Sequence, residues 1–187
     1  MFALLQGGDM MKIVVLEHEE CYDGSQLSPL WALSKGVKGD SIVAFKGSMN
    51  VVDIKDAEDT DIRGDELIHF IMERFSNPPT MIEAYLIQRL FLCCLCDVLR
   101  EEGFDVVRKG GDLYMGEGKL TVSIASISPS SEKFHCGVNL TTSGTPEDVK
   151  VSAIHVKDWK AFAENVAMRF VSELDDIERD ISKSRTL

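Results

Sequence analysis

The chain reads as an α+β domain with a largely antiparallel sheet and helices packed on one side. Three observations predict this. Short segments of alternating polarity crowd between residues 104 and 142, separated by Gly-Gly, Gly-Glu-Gly and Ser-Pro-Ser-Ser turns. Two long segments, 81–102 and 158–182, instead carry apolar residues at three- and four-residue spacing. Strand–helix–strand crossovers are few, so hairpins outnumber parallel units.

The elements follow in order. Lys12 to Leu16 is a short apolar strand. Cys21-Tyr22-Asp23-Gly24 is turn chemistry, and Ser25 caps a helix through Leu27, Leu30, Trp31 and Leu33 that ends near Gly36. Gly39-Asp40 turns into a strand over Ser41 to Lys46, closed by Gly47, and Val51 to Ile54 is a candidate third strand. Asp53 to Asp65 carries six acidic residues and reads as an exposed loop. Glu66 to Phe75 places Leu67, Phe70, Ile71 and Phe75 at helical spacing, and Asn77-Pro78-Pro79 ends that helix.

Thr80 caps the most apolar helix, Met81 to Glu102, which belongs at the centre of the layer packed on the sheet, with Gly103 as its C-terminal cap. Four strands follow: Phe104 to Arg108, Asp112 to Met115, Lys119 to Ile127 and Lys133 to Thr142. Val149 to Val156 is a further candidate strand. The last helix, from Asp158 to about Ser182, has the apolar stripe Trp159, Phe162, Val166, Phe170, Leu174, Ile177 and Ile181.

Composition bounds the function. With 187 residues, the chain fits one domain, taken here as 11–187. Met10-Met11 directly before the first strand marks residues 1–10 as a leader or start-site extension. A net charge of −11 argues against nucleic acid and anionic membrane as partners, both of which need basic patches. No apolar run is long enough to span a bilayer. Five cysteines without framework spacing read as reduced thiols in a cytoplasmic protein.

Strict alternation from Lys119 to Ile124 sets Leu120, Val122 and Ile124 on one face and Lys119, Thr121 and Ser123 on the other. The next strand alternates Phe134, Cys136, Val138 and Leu140 with His135, Gly137 and Asn139. Pairing the two is expected to gather Lys119, Thr121, Ser123, His135 and Asn139 on one polar face. Such a face is either wetted surface or the floor of a pocket.

Further along these residues a resemblance enters. Gly111-Asp112-Leu113, Gly118-Lys119, Ser123-Ile124-Ala125 and His135-Cys136-Gly137 resemble, in order and spacing, motifs of the biotin and lipoate protein ligases. Tyr22-Asp23-Gly24-Ser25-Gln26-Leu27, Gly39 to Phe45 and Leu67-Ile68-His69-Phe70 resemble the archaeal domain-of-unknown-function family 366, over residues 11 to 185. Both resemblances imply the ligase-like fold.

The ligase resemblance further implies that Lys119 is the catalytic lysine. It would stabilise charge as a carboxylate attacks an α-phosphate. Asp112 would shape the pocket and His135 would orient the ligand, with Thr121, Ser123 and Gly137 beside it. Ser25 and Gln26 would form a hydrogen-bonding wall. ATP is the cofactor this kinship implies, yet the Arg- and Gly-rich adenylate loop is not found. Lys46-Gly47-Ser48 is the nearest candidate, and Gly111 replaces the ligases' asparagine before Asp112.

Plainer readings stand beside these. Lys119 reads equally as a solvated hairpin lysine, Asp112 as a turn residue and His135 as a hydrogen-bonded structural histidine. His18, Cys21, His135 and Cys136 do not form a metal set, because neighbouring strand residues face opposite ways. Clustered Cys93, Cys94 and Cys96 read as core thiols.

The expected function is binding of a small carboxylate or acyl ligand, with acyl transfer or adenylate-forming ligation if it is an enzyme. The alternative is a non-catalytic ligand-binding or assembly subunit, with the last helix or a sheet edge as a candidate homodimer interface. A third option is a metal-assisted hydrolase built on the acidic loop.

Overall fold

The computed structural model describes residues 10–51 and 62–184. Strands β1 (Lys12–Val15), β2 (Ser41–Val51) and β3 (Ile62–Phe75) precede the smaller strands β4 (Val106–Lys109), β5 (Asp112–Met115) and β6 (Gly118–Lys119). Strands β7 (Thr121–Ile127) and β8 (Ser131–Asn139) complete the set. The helices are α1 (Trp31–Ser34), α2 (Met81–Glu101) and α3 (Trp159–Lys183), with a 3-10 turn at Ser25–Leu27.

The main sheet runs β1-β2-β3-β8-β7, and β4-β5-β6 form a second, three-stranded sheet. Only β1 and β2 pair in parallel; the remaining ladders are antiparallel. The protein is therefore α+β, as its alternation pattern predicts.

α2 and α3 cover one face of the main sheet. Their core is tied together by Phe70 of β3, Phe91 of α2, Phe134 of β8 and Phe170 of α3, all fully buried. Ring centroids lie 4.9–5.8 Å apart, within the range of favourable tilted and edge contacts. The opposite face is covered by residues around Tyr22, the 3-10 turn and α1, packed on Phe45, Leu67 and Ile71.

Both long helices start where expected. Thr80 Oγ1 accepts from Glu83 N, and Asp158 accepts from Lys160 N and Ala161 N. Gly103 takes φ +90° just past α2, the left-handed cap that glycine permits.

Several expectations are corrected. Glu66 to Phe75 is not a helix but the second half of β3, the central strand. Leu67 to Met72 is buried on both faces, so its alternation is lost and the apolar run mimics helical spacing. β2 runs on through Gly47 to Val51 with a bulge between Gly47 and Met49. The helix expected over 25–36 is only a 3-10 turn and one turn of α1, with Leu30 between them at φ +63°.

Val149 to Val156 is not a strand; it contributes one bridge, Lys119 to Val151. Residues 53–61 of the acidic loop, the candidate strand beyond Val51 and residues 1–9 lie outside the described residues. No helix among the described residues is long and apolar enough to cross a membrane.

Candidate functional site

Lys119 sits where three pieces of chain converge. Its N–H donates to Lys150 O (2.8 Å) and its carbonyl accepts from Ser152 N (2.9 Å). Asn139 Nδ2 donates to both Lys119 O (3.2 Å) and Ser152 O (3.1 Å). Gly118 permits this crowding: a Cβ there would stand 2.7 Å from the Val151 carbonyl carbon. The backbone under Lys119 is thus fixed on both sides, and its side chain starts from a defined point.

Lys119 Nζ lies 3.1 Å from Asp112 Oδ2, with the lysine side chain one-third exposed. It borders a hollow of about 90 Å³ lined also by Thr121, Asn139 and Arg63 on the polar side, and by Met49, Val122, Val149 and Val151 on the apolar side. A cationic side chain lining a partly apolar hollow suits an amphipathic acid.

Only part of the predicted set assembles. Thr121 lines the hollow, though its hydroxyl already accepts from Leu113 N at 2.9 Å. Ser123 does not join it: its Oγ donates to Gly111 O (2.7 Å) and accepts from Gln88 Nε2 (3.0 Å), against α2. His135 and Gly137 share a face with Ile124 and Val122, whereas Thr121 and Ser123 share theirs with Val138 and Cys136.

The single polar face is therefore corrected to two. The cause is Leu120. It belongs to neither β6 nor β7, bonds from its N to Leu113 O and is wholly buried, so the alternation changes phase there.

Ser25 and Gln26 lie on the face away from α2 and α3. Gln26 is buried, its amide donating to Glu20 Oε1 (3.2 Å) and Cys21 O (2.9 Å) and accepting from Asp23 N (3.2 Å), a closed local set that shapes the turn. Ser25 is exposed, its N–H on Asp23 Oδ1.

That face holds a cluster which sequence reasoning missed. His69 and His135 are buried with their rings in contact, Nδ1 to Nε2 at 3.0 Å, and Tyr22 stacks on His135 at 3.5 Å. Burial pushes His69 down to about 4 and, with His69 beside it, holds His135 well below the ordinary histidine range. Nearby, Lys133 and Glu73 form a buried pair at 3.4 Å, and burial lowers the lysine's proton affinity. His69 escaped notice because its strand mimics a helix.

Two further features bear on the ligase resemblance. Gly111 stands where a Cβ would lie 2.0 Å from Arg89 Nη1, so the guanidinium fills the space beside it. Lys46-Gly47-Ser48 lies inside β2, and Lys46 Nζ is 2.8 Å from both Glu19 and Glu66. A lysine already neutralised by two carboxylates does not fit a phosphate site. No group of three or more His, Cys, Asp or Glu among the described residues is arranged to hold a metal ion.

A largely antiparallel sheet with two long helices on one face defines a class, the biotin/lipoate ligase-like α+β fold. Aligned with biotin protein ligase from Aquifex aeolicus in complex with biotin and ATP, the chain gives a TM-score of 0.64 at 13% identity, covering 89% of this chain and 72% of that one. For lipoate-protein ligase A bound with ATP the values are 0.61, 13%, 88% and 85%. Identity this low establishes shared fold alone.

The chain belongs to the family described as domain of unknown function DUF366, which matches residues 11–185. Uncharacterized protein MJ0805 of Methanocaldococcus jannaschii is 32% identical over 96% of this chain and 86% of its own length. A protein of unknown function from Pyrococcus horikoshi has a TM-score of 0.88 at 34% identity, covering 95% of this chain and 99% of that one.

Proposed function

We propose that this protein binds a small carboxylate-bearing molecule of acyl type in the hollow beside Lys119. The observation that carries this reading is Lys119 lining a cavity walled also by Met49, Val122, Val149 and Val151. A carboxylate would form a charge-assisted hydrogen bond with Lys119 while its chain lies on those apolar walls. Asp112 both orients the ammonium and competes for it. If an acyl group is transferred, Lys119 stabilises the negative charge that gathers on the reacting oxygen.

One observation favours binding without chemistry: among the described residues, the hollow's lining includes no cysteine, histidine, aspartate or glutamate. The two readings separate by experiment. Calorimetric titration with octanoate, lipoate and biotin should yield binding for at least one acid. Lys119→Ala should weaken that binding by about tenfold or more, the weight of one charge-assisted contact, without lowering the melting temperature. Equal affinity in the variant overturns the site. Pyrophosphate exchange with ATP in the presence of the bound acid marks a ligase, and binding without exchange or transfer marks the non-catalytic module.

A further inference from the structure

The end of α3 carries an exposed apolar stripe. Its N-terminal half is anchored in the core through Phe162, Val166 and Phe170. The last buried residue is Val171, and from Asp176 to Lys183 every position is exposed. These final eight residues extend roughly 12 Å beyond the last packed turn. Isolated helix of this length gains little from propensity alone.

The apolar stripe nevertheless continues. Leu174, Ile177 and Ile181 follow Phe170 at four-, three- and four-residue spacing, and Ile181 is 68% exposed. Acids border the stripe on both sides: Glu178 lies one turn beyond Leu174, and Glu173 one turn before Ile177. Neither glutamate has an ion-pair partner among the described residues. The basic residues of this stretch, Arg179 and Lys183, project away from the stripe and bond Asp176 (2.8 Å) and Asp180 (3.1 Å) on their own helix.

We propose that this projecting end of α3 docks another polypeptide through an amphipathic segment, apolar on one face and edged by Lys or Arg. Charge decides the occupant. A second copy packed across a two-fold would bring Glu173 and Glu178 against the same residues, in a chain whose net charge is −11. A basic-edged partner covers Leu174, Ile177 and Ile181 and at the same time neutralises both rims.

The test uses the full chain and a fluorescent amphipathic Leu/Lys peptide of about 14 residues, long enough for helix. A scrambled peptide of the same composition, with no apolar face, is the control. The amphipathic peptide should bind more tightly than the scrambled one. An Ile177→Glu, Ile181→Glu double variant should weaken it about tenfold or more, as removal of central apolar anchors does. Both positions are solvent-exposed, so circular dichroism of the variant should match the parent. Equal binding of the two peptides, or an unchanged affinity in the variant, overturns the proposal. A dimer in sedimentation that Ile181→Glu dissolves overturns it as well, in favour of a second copy.

Discussion

His69 and His135 share a single proton arrangement. His69 Nε2 lies 3.2 Å from Gly47 O, a carbonyl that can only accept, so Nε2 carries the hydrogen. In neutral His69, Nδ1 is then bare and accepts from His135 Nε2 at 3.0 Å. A backbone carbonyl on β2 thereby sets the tautomer of a ring on β8, two strands away. Protonating either ring places a charge in a buried contact with the other ring and with Tyr22.

Stability should therefore depend on pH in one direction. The folded protein holds His69 near 4 and His135 well below its ordinary value, while the unfolded chain binds protons near 6.5. As pH falls below about 6.5, the unfolded state takes up protons that the folded state does not, and stability drops. The loss is at most about 1.4 kcal/mol per pH unit per histidine, and for His69 it levels off near pH 4. Urea unfolding at pH 7 and pH 5 measures it. His69→Gln should lower stability at pH 7 and flatten the slope; a parent protein equally stable at both pH values would contradict the assignment.

Two glycines should respond differently to alanine, although each ideal Cβ meets an atom at 2.0 Å. At Gly47 that atom is Glu20 O, with the Glu20 carbonyl carbon at 2.8 Å, so backbone of the covering segment must move. At Gly111 it is Arg89 Nη1, the tip of a flexible side chain that has no hydrogen-bond partner there. Gly47→Ala should cost about 2 kcal/mol or more, as overpacking against backbone does. Gly111→Ala should stay within about 1 kcal/mol. Thermal melts of the two variants compare them directly.

What could be read beforehand follows from periodicity. α2 and α3 keep a helical repeat with polar caps at Thr80 and Asp158, and both appear where that repeat places them. β3 was illegible because α2 and α3 bury one of its faces and the segment around Tyr22 and Trp31 the other, which erases the two-residue alternation around His69. Of the candidate residues, Lys119 and Asp112 do lie together, 3.1 Å apart across a short hairpin. Ser123 was not placed correctly, because the irregularity at Leu120 inverts the faces of β7 after it, whereas His135 keeps the face its own strand's alternation predicts and meets His69 there. A break of one residue outside the ladder leaves no mark in composition.

Lys133 and Glu73 are expected to be strongly coupled. Glu73 Oε1 accepts from Ser131 Oγ (2.8 Å) and Leu30 N (3.2 Å), whereas Lys133 reaches, among the described residues, only Leu27 O and Glu73, each at 3.4 Å. The lysine is the less satisfied partner. Glu73→Gln should therefore destabilise by about 3–5 kcal/mol, since it strands a buried ammonium. Lys133→Met should cost less, because the carboxylate keeps its two donors. The double variant should be more stable than the sum of the singles predicts, by 1 kcal/mol or so. Denaturant curves for the four proteins close the cycle, and additive effects would show that the pair does not interact.

Asp112 bears on ligand affinity in a direction opposite to that of Lys119. Its Oδ2 holds the Lys119 ammonium at 3.1 Å, both side chains being only partly exposed. A carboxylate ligand arriving at the hollow meets a cation already paired, together with the negative charge of the partner. Asp112→Asn removes that charge and leaves an amide of the same shape. The variant should bind octanoate or lipoate severalfold more tightly than the parent, a gain of about 1 kcal/mol, typical of relieving one like-charge contact at a partly solvated site. The advantage should shrink as salt is raised, because screening weakens the repulsion in the parent. Calorimetric titration at low and high salt reads both effects, and weaker binding by Asp112→Asn would mean that the aspartate is needed to hold the ammonium in place.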